Sequence, residues 1–357
     1  MTFLPSLVEI LVGILLLFGG GEFFVAGSVA VSLMLGIPQI VIGLTLVSLG
    51  TSAPELFVSL IATVQENDGI AITNIVGSNI FNVLVVLGLS ALVLPLRVQS
   101  RLVRRDVPLL LAVSMAVWGM AAGGRVYWQA GLALLTGLVI NIVWECRTAS
   151  ENPEESDTFD LEGRSTLPVA LVKLAVGLVL LVAGSQVLVK GAVGAAAVLQ
   201  IPQTVVGITI VSAGTSMPEL VTSVVAAYRG KTDIAIGNVV GSNIINLLLI
   251  LGACATFSGE GLLAEPMLVN RDLPIMIATT LACLPIFWSG GVIRRGEGFV
   301  LVFLYVVYLI DQVIAVTVGG DLLSNFRVIV LVLVVPLVLV FLVWEVINWM
   351  RQHRRPT

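Results

Sequence analysis

Two glutamates stand inside stretches otherwise apolar enough to cross a membrane: Glu55 in "GLTLVSLGTSAPELFVSLIA" (43–62) and Glu219 in "GITIVSAGTSMPELVTSVVA" (207–226). Thr51 and Glu55 are four residues apart and share one helical face, with Ser52 alongside; Thr215, Glu219 and Ser216 repeat the set. Pro54 lacks an amide hydrogen, and its ring clashes with the carbonyl of Gly50. The glycine itself costs about 1 kcal/mol of helix stability relative to alanine. The helix is therefore predicted to break near residues 48–52. Carbonyls freed at membrane depth need protein, water or a cation as partner. A second motif adds oxygens: Ser78 and Asn82 in "GSNIFN", and Ser242 and Asn246 in "GSNIIN", are again four apart. Gly77 and Gly241 in the same motifs would let a neighbouring helix approach closely. All these donors are hard oxygens, which suits calcium and also sodium, and two carboxylates neutralise one calcium ion. One Gly-Thr-Ser-x-Pro turn alone reads as a packing kink, and one buried acid as a structural group. The recurrence of the acid at the same motif position makes it a functional candidate.

These residues need a membrane scaffold. The chain has 357 residues, 58% hydrophobic and 11% charged, where soluble domains are about 25% charged. Its apolar runs of about 20 residues match the thickness of a bilayer. The fold class expected is an all-α polytopic membrane protein. The runs are continuously apolar rather than alternating, which rejects a β-barrel. Cys146, Cys254 and Cys283 are scattered, so neither a disulfide framework nor a thiolate metal site is expected. The only histidine, His353, lies in a basic tail, which excludes histidine proton chemistry within the membrane. No basic, aromatic-interleaved segment suggests nucleic acid, and no HExxH or GxSxG motif suggests an enzyme. No resident cofactor is expected.

The chain is also a duplicated unit. A shift of 164 positions aligns residues 13–88 with 177–252 without a gap, and about half of the positions are identical. Gly13, Gly20 and Gly27 fall on Gly177, Gly184 and Gly191; "RDVP" (105–108) resembles "RDLP" (271–274). The first apolar run resembles a signal peptide, but its counterpart lies mid-chain, so it reads as a retained helix. Helices are predicted at about 6–34, 37–64, 70–95, 106–122, 126–145, 167–198, 201–228, 234–257, 272–290, 297–317 and 327–350. The domain reading is a first five-helix repeat (1–146), an acidic cytoplasmic linker (147–166), a second five-helix repeat (167–320), and an extra transmembrane helix with a basic tail (321–357). An odd helix number per repeat forces inverted topology. With the amino terminus outside, segments 97–105, 147–164, 229–231, 294–295 and 351–355 are cytoplasmic and hold thirteen Lys or Arg; the outer segments hold Arg125, Arg271 and Arg327. This is the asymmetry that the positive-inside rule requires. Other charges at membrane depth, Glu22, Lys190 and Asp311, read as intramembrane pairs, with Glu22–Lys190 one candidate pair. Arg105-Asp106 and Arg271-Asp272 read as interfacial anchors at helix starts.

"GTSAPE" with "NIVGSNIFN", and "GTSMPE" with "NVVGSNIIN", resemble the paired repeats of the sodium/calcium exchanger branch of the cation/calcium antiporter superfamily, its prokaryotic members most of all. The resemblance covers residues 6–317 and implies ten core helices in two inverted repeats. The eleventh helix departs from that pattern. By resemblance, calcium would be held by Glu55 and Glu219 with the backbone oxygens of Thr51 and Thr215. Sodium would draw on Ser52, Ser216, Ser78, Ser242, Asn82 and Asn246, with carbonyls near Ser48 and Ser212. Some relatives carry aspartate at one of the positions of Asn82 and Asn246; amides at both leave two carboxylates rather than three and leave the stoichiometry open. Proton-coupled relatives carry Gly-Asn where Gly-Thr-Ser stands here, which favours sodium. The function implied is sodium/calcium antiport by alternating access at the cell membrane, with calcium exported against sodium entry; helices 1 and 6 would slide across a fixed core. Proton/calcium exchange and a cation channel are the alternatives. Calcium and sodium would be the transported substrates, lipid the surroundings, and the oligomeric state is open.

Overall fold

A computed structural model describes residues 3–151, 166–201, 206, 209, 212–288 and 291–353. The described residues are overwhelmingly helical. In chain order the helices are α1 (Phe3–Leu35), α2 (Gln39–Thr51), α3 (Ala53–Val64), α4 (Asp68–Val93), α5 (Val107–Ala121) and α6 (Trp128–Glu151). Then follow α7 (Leu167–Val198), α8 (Ser212–Thr215), α9 (Met217–Tyr228), α10 (Thr232–Phe257), α11 (Leu268–Trp288), α12 (Arg295–Thr317) and α13 (320–353). Eight are long and apolar enough to cross a membrane, and the bent pair α2–α3 makes a ninth. The turn before α5 carries Arg104, Arg105 and Asp106. The start of the predicted helix 201–228, most of the acidic linker and the end of the basic tail lie outside the described residues.

Four two-residue strands were not expected: β1 (Leu96–Arg97), β2 (Arg125–Val126), β3 (Leu262–Leu263) and β4 (Val292–Ile293). β1 pairs antiparallel with β4, and β2 with β3. Because α5 runs from β1 to β2, the two ladders tie the halves together at opposite ends of the bundle.

Helices α4 and α10 form the centre. Of the most apolar window of each span, 83% and 94% are buried, against 6% for α13. The predicted break in the first motif is a bend of 46° at Ser52, a single non-helical residue with φ −81° and ψ 6°. The chain does not unwind over 48–52; α2 instead contains a π-helical turn at Gly43–Val47. There α2 lies against α10 with no room for side chains: a carbon on Gly241 would lie 2.5 Å from the carbonyl oxygen of Leu44. The second half's equivalent of Leu44, residue 208, lies outside the described residues, and with it the expected approach at Gly77.

Helices α1 and α7 lie antiparallel along a seam of glycines spaced seven residues apart. A side-chain carbon on Gly13 would lie 2.6 Å from Leu188 N, and one on Gly177 2.5 Å from Phe24 N. Small residues of this kind let backbones approach and replace the missing hydrophobic drive with close packing. This register corrects one expected pair. Lys190 lies opposite the start of α1 and bonds Glu9 at 2.7 Å, whereas Glu22 reaches Arg229, at 3.2 Å from its Nε. Asp311 does pair, with Arg327 at 2.7 Å and Arg271 at 3.7 Å. The acids of the two Arg-Asp motifs, Asp106 and Asp272, are buried. Asp106 sits with Arg101 and Arg105, which both bond Glu145. Asp272 accepts from Arg271, Tyr308 and Gln312.

Candidate functional site

Each glutamate lies in the first turn of a helix that begins at the bend. Pro54 and Pro218 occupy the second positions of α3 and α9, and Glu55 and Glu219 follow directly. The positive end of a helix favours an anion there. The carbonyl that Pro218 orphans, that of Gly214, accepts from Ser185 Oγ of α7 at 2.5 Å.

The bends bring the two acids into one buried cluster, bonded reciprocally. Ser52 Oγ donates to Glu219 Oε1 at 2.9 Å, and Ser216 Oγ donates to Glu55 Oε1 at 2.8 Å. Ser78 Oγ lies 3.0 Å from Ser216 Oγ and extends the chain of hydroxyls to α4. Both glutamates are fully buried, and their described partners are hydroxyls, none of them cationic. Within this cluster, four buried oxygens have no hydrogen-bond partner among the described residues: Glu55 Oε2, Glu219 Oε2, Asn82 Oδ1 and Asn246 Oδ1; Ser90, Gln99, Asp106, Ser114 and Thr222 each hold one elsewhere. Buried polar atoms of this kind are costly unless a ligand satisfies them. All four belong to residues that the sequence motifs single out. Asn82 and Asn246 also begin π-helical turns, Asn82–Leu87 and Asn246–Leu251, a distortion frequent at functional sites.

The remaining expected residues surround this centre. Thr51 Oγ1 donates to Asn238 Oδ1 at 3.0 Å, and Thr215 Oγ1 lies 3.4 Å from Asn74 Oδ1. Ser242 Oγ is 3.5 Å from Asn238 Oδ1, at the edge of bonding. The Ser48 hydroxyl is spent elsewhere, on the carbonyls of Gly43 (2.6 Å) and Asn238 (3.1 Å). Ser212 starts α8; its side chain and the carbonyls just before it lie outside the described residues.

Three pairs of functional neighbours escape the motif reading. Asn74 and Asn238 bind the motif threonines and donate to Ser59 Oγ (3.1 Å) and Ser223 Oγ (2.9 Å). Asn79 and Asn243 bind the motif asparagines: Asn82 Nδ2 donates to Asn243 Oδ1 at 3.1 Å, and Asn246 Nδ2 to Asn79 Oδ1 at 3.0 Å. Each of these residues is identical at its paired position in the self-alignment, which is the signal that could have found them.

A cavity of about 700 Å³ reaches the edge of the cluster from the β2–β3 end of the bundle. It begins among Glu66, Asp68 and Glu265 and reaches Asn74, Gly77 and Thr215.

The sequence model of the family described as "Sodium/calcium exchanger protein" matches residues 5–146 and 169–314. The chain belongs to this family. The family is one of exchangers rather than enzymes, and the helices make the protein a multi-pass membrane protein. Among curated relatives, the putative antiporter CaxA of Alkalimonas amylolytica is 36% identical over 314 residues, 85% of this chain and 98% of the relative. The sodium/calcium exchanger MaX1 of Methanosarcina acetivorans is 33% identical over 341 residues, 84% of this chain and 96% of its own length. Among solved structures, the sodium-calcium exchanger NCX_Mj superposes with a TM-score of 0.75 at 30% identity, covering 87% of this chain and 99% of that one. The prokaryotic exchanger fold expected from the doubled motif is thereby shown.

Proposed function

We propose that this chain is a secondary-active sodium/calcium antiporter that works by alternating access in the cell membrane and exports calcium against sodium entry. One observation carries the reading: two buried glutamates, one from each half of the chain, meet with unpartnered oxygens and no cationic side chain among their described partners. Two uncompensated carboxylates in a low-dielectric interior are costly, and a bound divalent cation removes that cost.

In this reading Glu55 and Glu219 hold calcium with the backbone oxygens of Thr51 and Thr215. Sodium ions use the same carboxylates with Ser52, Ser216, Ser78, Ser242, Asn82 and Asn246. Occupancy by one cation excludes the other, and that competition is the coupling. Two inverted five-helix repeats (1–146 and 167–320) supply the two halves of the site, and residues 321–357 add the extra helix and tail. The amino terminus lies outside and the carboxyl terminus in the cytoplasm.

The α1–α7 pair supports the moving part. Its glycine seam makes it one unit, and it rests on the fixed core at the two bends: a side-chain carbon on Gly50 would lie 3.0 Å from Phe24 of α1, and Gly214 faces Val189 of α7. Reconstitution in liposomes tests the reading. An imposed sodium gradient is expected to drive calcium uptake where potassium or pH gradients of equal size do not. Uptake driven by the pH gradient alone, or calcium flow without any counter-ion, would contradict it.

A further inference from the structure

We infer that Asn79 and Asn243 are positioning residues that set sodium affinity, by holding the amides of Asn246 and Asn82 with oxygen rather than nitrogen turned to the cation. The inference rests on the proposed exchanger reading and concerns two residues that the motif reading leaves without a role.

An asparagine can face a cation in two ways, and only one of them binds it. The nitrogen end is donor-only and repels a cation; the oxygen end is an acceptor. Which end faces inward is decided by the hydrogen-bond network around the amide. Here the network starts from backbone atoms that have no choice. The Asn243 carbonyl oxygen only accepts, and Asn79 Nδ2 donates to it at 3.2 Å. The oxygen of Asn79 is thereby turned the other way, where it accepts Asn246 Nδ2 at 3.0 Å. That bond spends the nitrogen of Asn246 and leaves its Oδ1 on the far side, buried and without a partner. The mirror sequence is complete as well: Asn243 Nδ2 donates to the Asn79 carbonyl at 3.2 Å, and Asn82 Nδ2 to Asn243 Oδ1 at 3.1 Å. Asn82 Oδ1 is left buried and unpartnered in turn. Asn82 lies one helical turn beyond Ser78, which is linked through Ser216 to Glu55, so its face of α4 is the face of the cation cluster.

The four residues form one reciprocal network across α4 and α10, all nearly or fully buried: Asn79 and Asn243 bond each other's backbone carbonyls, and Asn246 and Asn82 hang from their side-chain oxygens. Removal of Asn79 or Asn243 frees an amide to rotate. A carboxylate in place of that amide would present oxygen in either orientation and would need no such partner.

The test is calcium binding to the purified full-length chain in detergent, with sodium as competitor. For Asn79→Ala the calcium affinity is expected to stay within about twofold, which also reports a folded site. The sodium needed to displace half of the calcium is expected to rise about tenfold, the effect of losing one hydrogen bond's worth of orientation. Asn243→Ala, acting through Asn82, carries the same expectation if Asn79→Ala does not fold. In an Asn246→Asp background, Asn79→Ala should no longer change the sodium requirement. An unchanged requirement in both alanine variants, an equal loss of sodium and calcium affinity, or a shift that persists in the Asn246→Asp background would overturn the inference. Failure of the parent reading looks different: wild-type chain would then bind calcium that sodium does not displace.

Discussion

At the scale of the residue, the cluster is a set of oxygens with few protein partners. Ser52 and Ser216 each donate to the acid of the opposite motif, so either serine holds a carboxylate that the other half of the chain supplies. Hydrogen bonds to charged groups contribute about 1.5–3 kcal/mol. Ser52→Ala and Ser216→Ala should therefore each weaken calcium binding about tenfold or more, by similar factors, in a calorimetric titration. A large loss from one and none from the other would show that the two halves of the site are not equivalent. Glu55, Glu219 and the oxygens beside them were legible in the sequence, because an acid in an apolar run has few structural uses. Asn79 and Asn243 were not. Their role is to orient another side chain, and spacing along one helix does not reveal a partner on a different helix 164 residues away.

At the scale of the element, proline and glycine did what their backbone chemistry requires. The helix was expected to break near 48–52, and it bends by 46° at Ser52, with a π-helical turn upstream at Gly43–Val47. Periodicity does not distinguish an α-turn from a π-turn, so that feature was illegible. The glycine seam of α1 and α7 was visible as a seven-residue spacing, and its physical meaning came with the antiparallel register. That register also explains why Lys190 meets Glu9 rather than Glu22. Gly177→Val should abolish calcium flux while leaving calcium binding in detergent largely intact, because Phe24 leaves no space for a side chain. Gly19, with nothing near the position of a side-chain carbon, is the control; Gly19→Ala should keep full flux and gain up to about 1 kcal/mol in helix stability. The extra helix α13 docks through Arg327, which bonds both oxygens of Asp311 at 2.7 and 3.0 Å. Arg327 is about half exposed, so Arg327→Ala should cost about 1 kcal/mol in a detergent melt, and Arg327→Lys part of that, since lysine lacks the two-pronged geometry.

At the scale of the whole molecule, the two ladders at opposite ends, the reciprocal serine–glutamate bonds and the asparagine network all join one half of the chain to the other. The helical membrane fold was legible from the apolar runs. The short strands were not, since two-residue pairings have no sequence period. In the proposed orientation, with the amino terminus outside, the β2–β3 end lies outside as well. Thr73, which lines the 700 Å³ cavity at that end, should then react as Thr73→Cys with a membrane-impermeant thiol reagent added outside, in a background lacking Cys146, Cys254 and Cys283. Labelling only from the cytoplasmic side would reverse the assigned orientation.

The central claim is that Glu55 and Glu219 share one calcium ion. Counting bound calcium per chain at saturation tests it most directly, in the wild type and in Glu55→Gln and Glu219→Gln. The account predicts one ion per wild-type chain and essentially complete loss of that ion in each single variant at the same calcium concentration. Two ions in the wild type, with one retained in each variant, would mean two separate sites and would contradict it.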